Sequence, residues 1–139
     1  MFSLIYVSSA TVPFSTEDLQ QLLTRSRESN TAVGVTGMLL YKSGNFMQLL
    51  EGEEAAVLAV YQRIARDPRH SGALVLLKQQ TEQRAFADWS MAFRNLTDPE
   101  VLALPGFSTF LNVEGGDHAF FRDPTQAQRL LGFFKQSMR

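Results

Sequence analysis

The chain has no cysteine among its 139 residues, which excludes disulfides, thiol nucleophiles and thiolate-held metals. Histidine is almost as scarce: His70 and His118 stand far apart, without the close spacing of a metal centre. Neither sign of charge is in excess. The formal net charge is −1, which argues against a nucleic acid or an anionic membrane held by bulk electrostatics. No apolar run approaches the roughly 20 residues of a membrane span, and the apolar amino terminus is too short for a signal segment. The expectation is a soluble cytoplasmic protein with no nucleic-acid and no membrane partner. What the chain does have is material for a core. A hydrophobic share of 45% with eleven phenylalanines suits one domain of two or three packed layers.

The stretch Gly44-Asn45-Phe46-Met47-Gln48-Leu49-Leu50-Glu51-Gly52 organises the rest. Large apolar residues between two glycines describe a short strand buried on both faces. One uncharged amide, Gln48, sits in its middle. An unpartnered buried amide costs about 1–3 kcal/mol, so Gln48 needs hydrogen-bond partners. It is either a satisfied core glutamine or a group facing a ligand, and an amide can exchange donor for acceptor by rotating.

In chain order, residues 2–8 read as a first strand with Leu4, Tyr6 and Ser8 on one face. Ser15 opens a helix, with Asp18 three residues on as a capping-box partner. Its stripe of Leu19, Leu22 and Leu23 continues at helical spacing to Ser26 and Asn30, two polar residues on the inward face. Either the helix end drifts into solvent there or the face lines a polar site. Residues 35–42 form a second strand, and Ser43-Gly44-Asn45 is a hairpin turn into the Gln48 strand. A second helix runs from Glu53 and Glu54 to about Asp67, where Pro68 stops it. Its stripe is Val57, Val60, Tyr61 and Ile64. Arg63, Arg66, Arg69 and His70 gather at its end, either as cations suited to a helix carboxyl terminus or as an anion site. Residues 74–78 form a fourth strand, and 89–93 a short fifth with Trp89, Met91 and Phe93 in one phase. A short helix starting at Asp98-Pro99 follows, and then a last helix starting at Asp123-Pro124 with Leu130, Leu131 and Phe134 inward.

Strand-helix-strand-strand-helix-strand is the ferredoxin-like α+β arrangement, in which the first and third strands are central neighbours and both helices cover one face. Tyr6 and Gln48 then meet beneath helices that offer Ser26 and Asn30. The carboxyl-terminal helices are expected on the opposite face. Buried Tyr, Gln, Asn and Ser, with Arg and His at one end, suit a flat heteroaromatic ligand with a phosphate tail.

These residues carry a family pattern. Tyr6-Val7-Ser8, Ser26 to Asn30, Thr36-Gly37, Phe46-Met47-Gln48-Leu49-Leu50-Glu51-Gly52, Arg66-Asp67-Pro68-Arg69-His70 and Trp89-Ser90-Met91 resemble the BLUF family, blue-light sensors using FAD. The resemblance covers residues 1–96, with 97–139 as a helical extension like that of the short single-domain members. It implies FAD bound with its ring between the two helices. Asn30 would meet the pyrimidine edge, Gln48 would lie between Tyr6 and the flavin, Ile64 would pack on the ring, and Arg69 and His70 would meet the ribityl-phosphate portion, with Ser26 and Arg63 beside them. Light would drive electron and proton transfer from Tyr6, and the rearranged hydrogen bonds of Gln48 would pass through Trp89 and Met91. The implied protein is a non-enzymatic photoreceptor that acts through its own oligomeric assembly or a downstream effector protein. Ser29 is smaller than the polar residue some members carry there.

Rivals from other classes stand beside it, among them a cofactor-free interaction domain, which would be colourless as pure protein. An acylphosphatase needs an arginine-bearing, glycine-rich loop after the first strand, and residues 8–14 contain neither. An RNA-recognition module would place exposed aromatics among basic residues where Met47, Gln48 and Leu49 stand. A flavin-dependent redox enzyme would use the same slot and is distinguished by NAD(P)H turnover.

Overall fold

The fold is described from a computed structural model over residues 1–12, 14–42, 44–84 and 91–95. The elements in this range are β1 (Phe2–Ala10), α1 (Thr16–Val33), β2 (Thr36–Lys42), β3 (Asn45–Gly52), α2 (Glu54–Arg66), β4 (His70–Gln80) and β5 (Ala92–Asn95). The strands form one sheet in the order β4-β1-β3-β2-β5. Neighbours among the first four run antiparallel, and β5 lies parallel to β2. This is the expected βαββαβ ferredoxin-like core with a fifth strand added beside β2. The carboxyl-terminal helices expected over 97–139 lie outside the described residues, as does Trp89.

Local chemistry sets where α1 begins and ends. Ser15 Oγ accepts from the Asp18 amide at 3.1 Å while Asp18 Oδ2 accepts from the Ser15 amide at 3.0 Å, so the expected capping box is formed. At the other end Gly34 adopts φ 70°, a left-handed conformation that costs glycine little. The Val35 amide then reaches the Asn30 carbonyl at 2.9 Å and the Gly34 amide that of Thr31 at 3.3 Å, a Schellman closure. The helix therefore stops one turn beyond Asn30 and holds that residue at a fixed height over the sheet.

Leu19 and Leu23 of α1 and Val57 and Val60 of α2 share one cluster with Leu4, Tyr6, Leu39, Phe46 and Leu50 of the sheet. Both helices thus cover the same face. On the opposite face Ile5, Val7, Met38, Leu40, Met47 and Leu49 are buried as well. Burial on both faces explains why these strands read as continuous apolar runs rather than alternating ones. β2 and β3 approach closely at Gly37. A Cβ there would run into the backbone carbonyl of Leu49, so this close pairing requires glycine.

The largest differences from the expected boundaries are in β4 and β5. β4 was expected over 74–78 and runs His70–Gln80, because antiparallel pairing with β1 continues to Ala10↔His70. His70 is therefore a strand residue rather than part of the α2 terminus. β5 starts at Ala92, so Met91 immediately precedes the strand instead of lying within it. Its parallel pairing to β2 begins at Met38↔Ala92, which sets the later start.

Candidate functional site

Antiparallel register places Tyr6 directly opposite Gln48, and Leu39 opposite Gln48 on the other side. The amide thus sits in the middle of the sheet on its helix-covered face. Tyr6 Oη donates to Gln48 Oε1, and Gln48 Nε2 lies 3.3 Å from Met91 Sδ. All three side chains belong to buried residues. The Tyr6 ring packs edge-on against Tyr61, centroids 5.2 Å apart, which fixes the direction of the hydroxyl. Burial pushes the Tyr6 phenol well above its ordinary range, with the nearby Tyr61 adding to the effect. The group is a protonated donor at any physiological pH.

Gln48 also faces a cleft of about 260 Å³ between α1 and α2. α1 lines it with Leu22, Arg25, Ser26, Ser29 and Asn30, one face at helical spacing. α2 adds Val60, Arg63 and Ile64, and the turn after it adds Asp67 and Arg69, with His70 from β4. Seven of the predicted residues, Ser26, Asn30, Gln48, Arg63, Ile64, Arg69 and His70, therefore come together around one opening. Tyr6 does not line it and reaches it only through Gln48. Arg25 and Asp67 were not anticipated. Arg25 lies one helical turn before Ser29, a spacing that would have pointed to it, whereas Asp67 looked like no more than the last residue before Pro68.

Asp67 organises the mouth. Its carboxylate accepts from Arg69 Nη2 at 2.7 Å and from Arg69 Nε at 3.1 Å, and also takes the Arg69 amide at 2.9 Å. The Arg69 hydrogen bond holds the Asp67 carboxyl down at about 2, against the smaller opposing effect of its burial. His70 is packed near Phe46, ring centroids 5.0 Å apart, with Nδ1 3.0 Å from Ser8 Oγ. Burial lowers its pKa below the ordinary 6.5, and Asp67 partly offsets this.

Both shifts have the same consequence for stability. Each group binds protons more readily when unfolded, so stability is full above the unfolded pKa and falls as pH drops through the folded one. For His70 the loss begins below 6.5, and for Asp67 it begins below 3.8 and continues to about 2. Thermal melts should therefore show the midpoint beginning to fall through His70 as pH drops below 6.5. His70→Gln is expected to flatten that slope; an unchanged slope would assign it to other groups.

Three comparisons place this geometry among known proteins. Residues 1–92 match the family BLUF, described as sensors of blue-light using FAD. The chain is 36% identical over 90 residues to the photoactivated adenylate cyclase subunit beta of Euglena longa, an alignment covering 64% of this chain and 10% of that protein. It thus spans about a tenth of the length of that relative. The dark-state structure of the BLUF protein BlrB superposes with a TM-score of 0.80 at 29% identity, covering 99% of this chain and 96% of BlrB. A bacterial light-regulated adenylyl cyclase gives a TM-score of 0.72 at 31% identity over 96% of this chain and 36% of its own. The protein is a member of the BLUF family, the sensors of blue light using FAD.

Proposed function

We propose that this chain is a blue-light photoreceptor that holds FAD in the cleft between α1 and α2 and signals by rearranging the hydrogen bonds of Gln48. The observation that carries this reading is the unbroken chain from Tyr6 Oη to Gln48 Oε1 and from Gln48 Nε2 to Met91 Sδ. It begins at a buried phenol, passes a group that lines the cleft and ends at the entry to β5.

The cleft suits a flavin chemically. Leu22, Val60 and Ile64 supply apolar walls for a flat ring, and Asn30 and Gln48 place amides where a pyrimidine edge needs donors and acceptors. Arg25, Arg63 and Arg69 at the opening suit phosphate. Ser26 borders the same wall, and His70 closes the end. A volume of about 260 Å³ is just below the roughly 300–1,000 Å³ typical of ligand sites, so the cleft would hold part of a dinucleotide rather than all of it.

A bound flavin supplies blue-light absorption and acceptance of an electron. The chain's residues supply the rest. Tyr6 keeps its proton on Oη, aimed at Gln48. The Gln48 amide is held on one side by that strong donor and on the other by a thioether, a weak acceptor. Rotating the amide would turn Nε2 toward Tyr6 and Oε1 toward Met91, which breaks both contacts and lets Nε2 donate to Tyr6 Oη in place of the bond that Oε1 accepted. The altered amide presents different groups to the cleft and no longer donates to Met91. From Met91 the change enters β5 and leaves through the protein's own assembly or a protein effector.

Purified protein should carry non-covalent FAD, released on denaturation, and its absorption should move reversibly to the red under blue light. Protein that stays colourless after reconstitution with flavin would overturn the proposal. Rapid NADH or NADPH turnover would favour a redox enzyme in the same slot.

A further inference from the structure

We infer that Arg27 is a positioning residue, which fixes Met91 within reach of Gln48 by gripping the Met91 backbone from α1. Its Nε lies 3.0 Å from the Met91 carbonyl oxygen, while the Met91 side chain receives Gln48 Nε2 at 3.3 Å. Met91 is thus held twice, by its carbonyl from the helix and by its sulfur from the sheet.

The need for such a grip follows from the topology. β5 has only four residues and pairs with β2 in parallel from Ala92 onward. Met91 stands just outside that ladder, so sheet pairing alone does not set its position. Its side chain is nonetheless buried, with 1% of the residue exposed, against a donor that binds thioether sulfur weakly. A methionine has three flexible torsions and readily fills other space. A charged donor on its carbonyl is the stronger restraint, because charge-assisted hydrogen bonds exceed neutral ones.

The placement of Arg27 also links two sites. Ser26 and Asn30 flank it in sequence and line the cleft, whereas Arg27 itself is largely exposed and reaches β5. One rigid helix therefore touches both the ligand site and the residue that reads Gln48. A shift of α1 would move Met91 by way of Arg27. This role rests on the photoreceptor reading for its consequence, but its geometry does not require bound flavin.

Two variants separate the role from general stability. Arg27→Met keeps the length of the stem and removes the donor. Arg27→Gln restores an N–H the same number of bonds from Cα as Nε. In flavin-free protein labelled at the methionine methyls, the Met91 resonance is assigned by its loss in Met91→Leu. It should move toward the position of a mobile methionine in Arg27→Met, whose own added methyl is identified in the Arg27→Met, Met91→Leu double variant, and remain near the parent position in Arg27→Gln. In flavin-loaded protein, Arg27→Met should change the rate of dark recovery by about 2- to 10-fold, the range one net hydrogen bond is worth. The same substitution should have no further effect in a Met91→Leu background, where there is no sulfur left to position. An unmoved Met91 resonance would overturn the inference, as would an equal change in recovery on the Met91→Leu background. If the methyl responds as expected but no flavin binds, the positioning role stands and the photoreceptor reading fails.

Discussion

Tyr6→Phe is expected to leave a folded protein that still binds flavin yet shows no red shift under blue light. The substitution keeps the ring, its edge-on contact with Tyr61 at 5.2 Å and its place in the helix-side cluster. It removes only the hydroxyl that donates to Gln48 Oε1. Since Tyr6 does not line the cleft, the walls and mouth that would hold the ligand are untouched. The stability cost should be small, about 1 kcal/mol for one hydrogen bond whose surviving partner is an amide oxygen beside a cleft. The photochemical cost should be total, because no other hydroxyl is directed at the amide by the described hydrogen bonds. Difference spectra before and after illumination decide the matter. A normal reversible shift in Tyr6→Phe would falsify the proposed mechanism while leaving flavin binding in place.

How much of this was legible in the sequence varies with the kind of residue. The Gln48 strand was readable because burial on both faces leaves a continuous apolar run that one amide interrupts. The pairing of Tyr6 with Gln48 was readable only through topology, since nothing in either strand alone names its partner. Ser26 and Asn30 were reachable because helical spacing carried the leucine stripe of α1 onto them. His70 was placed on the wrong element. The residues after it, Ser71 and Gly72, are exposed and carry no strand pattern, and β4 is extended there by backbone pairing with β1 rather than by side-chain burial. The Asp67–Arg69 pair went unforeseen because two residues of a turn meet through local geometry that periodicity does not record. Arg27 was unremarkable in the sequence for a different reason. Its acceptor is a backbone carbonyl 64 residues away, and every residue has one.

Gln48→Leu tests the same bond from the other side and should cost more in stability than Tyr6→Phe. The leucine fits a strand already lined by Met47, Leu49 and Leu50, so packing alone predicts tolerance. The penalty comes from Tyr6, whose residue is 1% exposed and whose hydroxyl would lose its acceptor. An orphaned buried donor costs about 1–3 kcal/mol, whereas removing both partners together is close to neutral. The double variant Tyr6→Phe, Gln48→Leu should therefore be more stable than Gln48→Leu alone, despite carrying one more substitution. Denaturant unfolding of the flavin-free proteins measures this without any photochemistry, as a coupling energy between neighbours of about 0.5–3 kcal/mol. In the flavin-loaded proteins both Gln48→Leu and the double variant should lack the red shift, since no amide remains to rearrange. Additive stability losses would mean that the hydroxyl finds another acceptor when Gln48 is gone. A retained shift in Gln48→Leu would mean that the light response does not run through this amide.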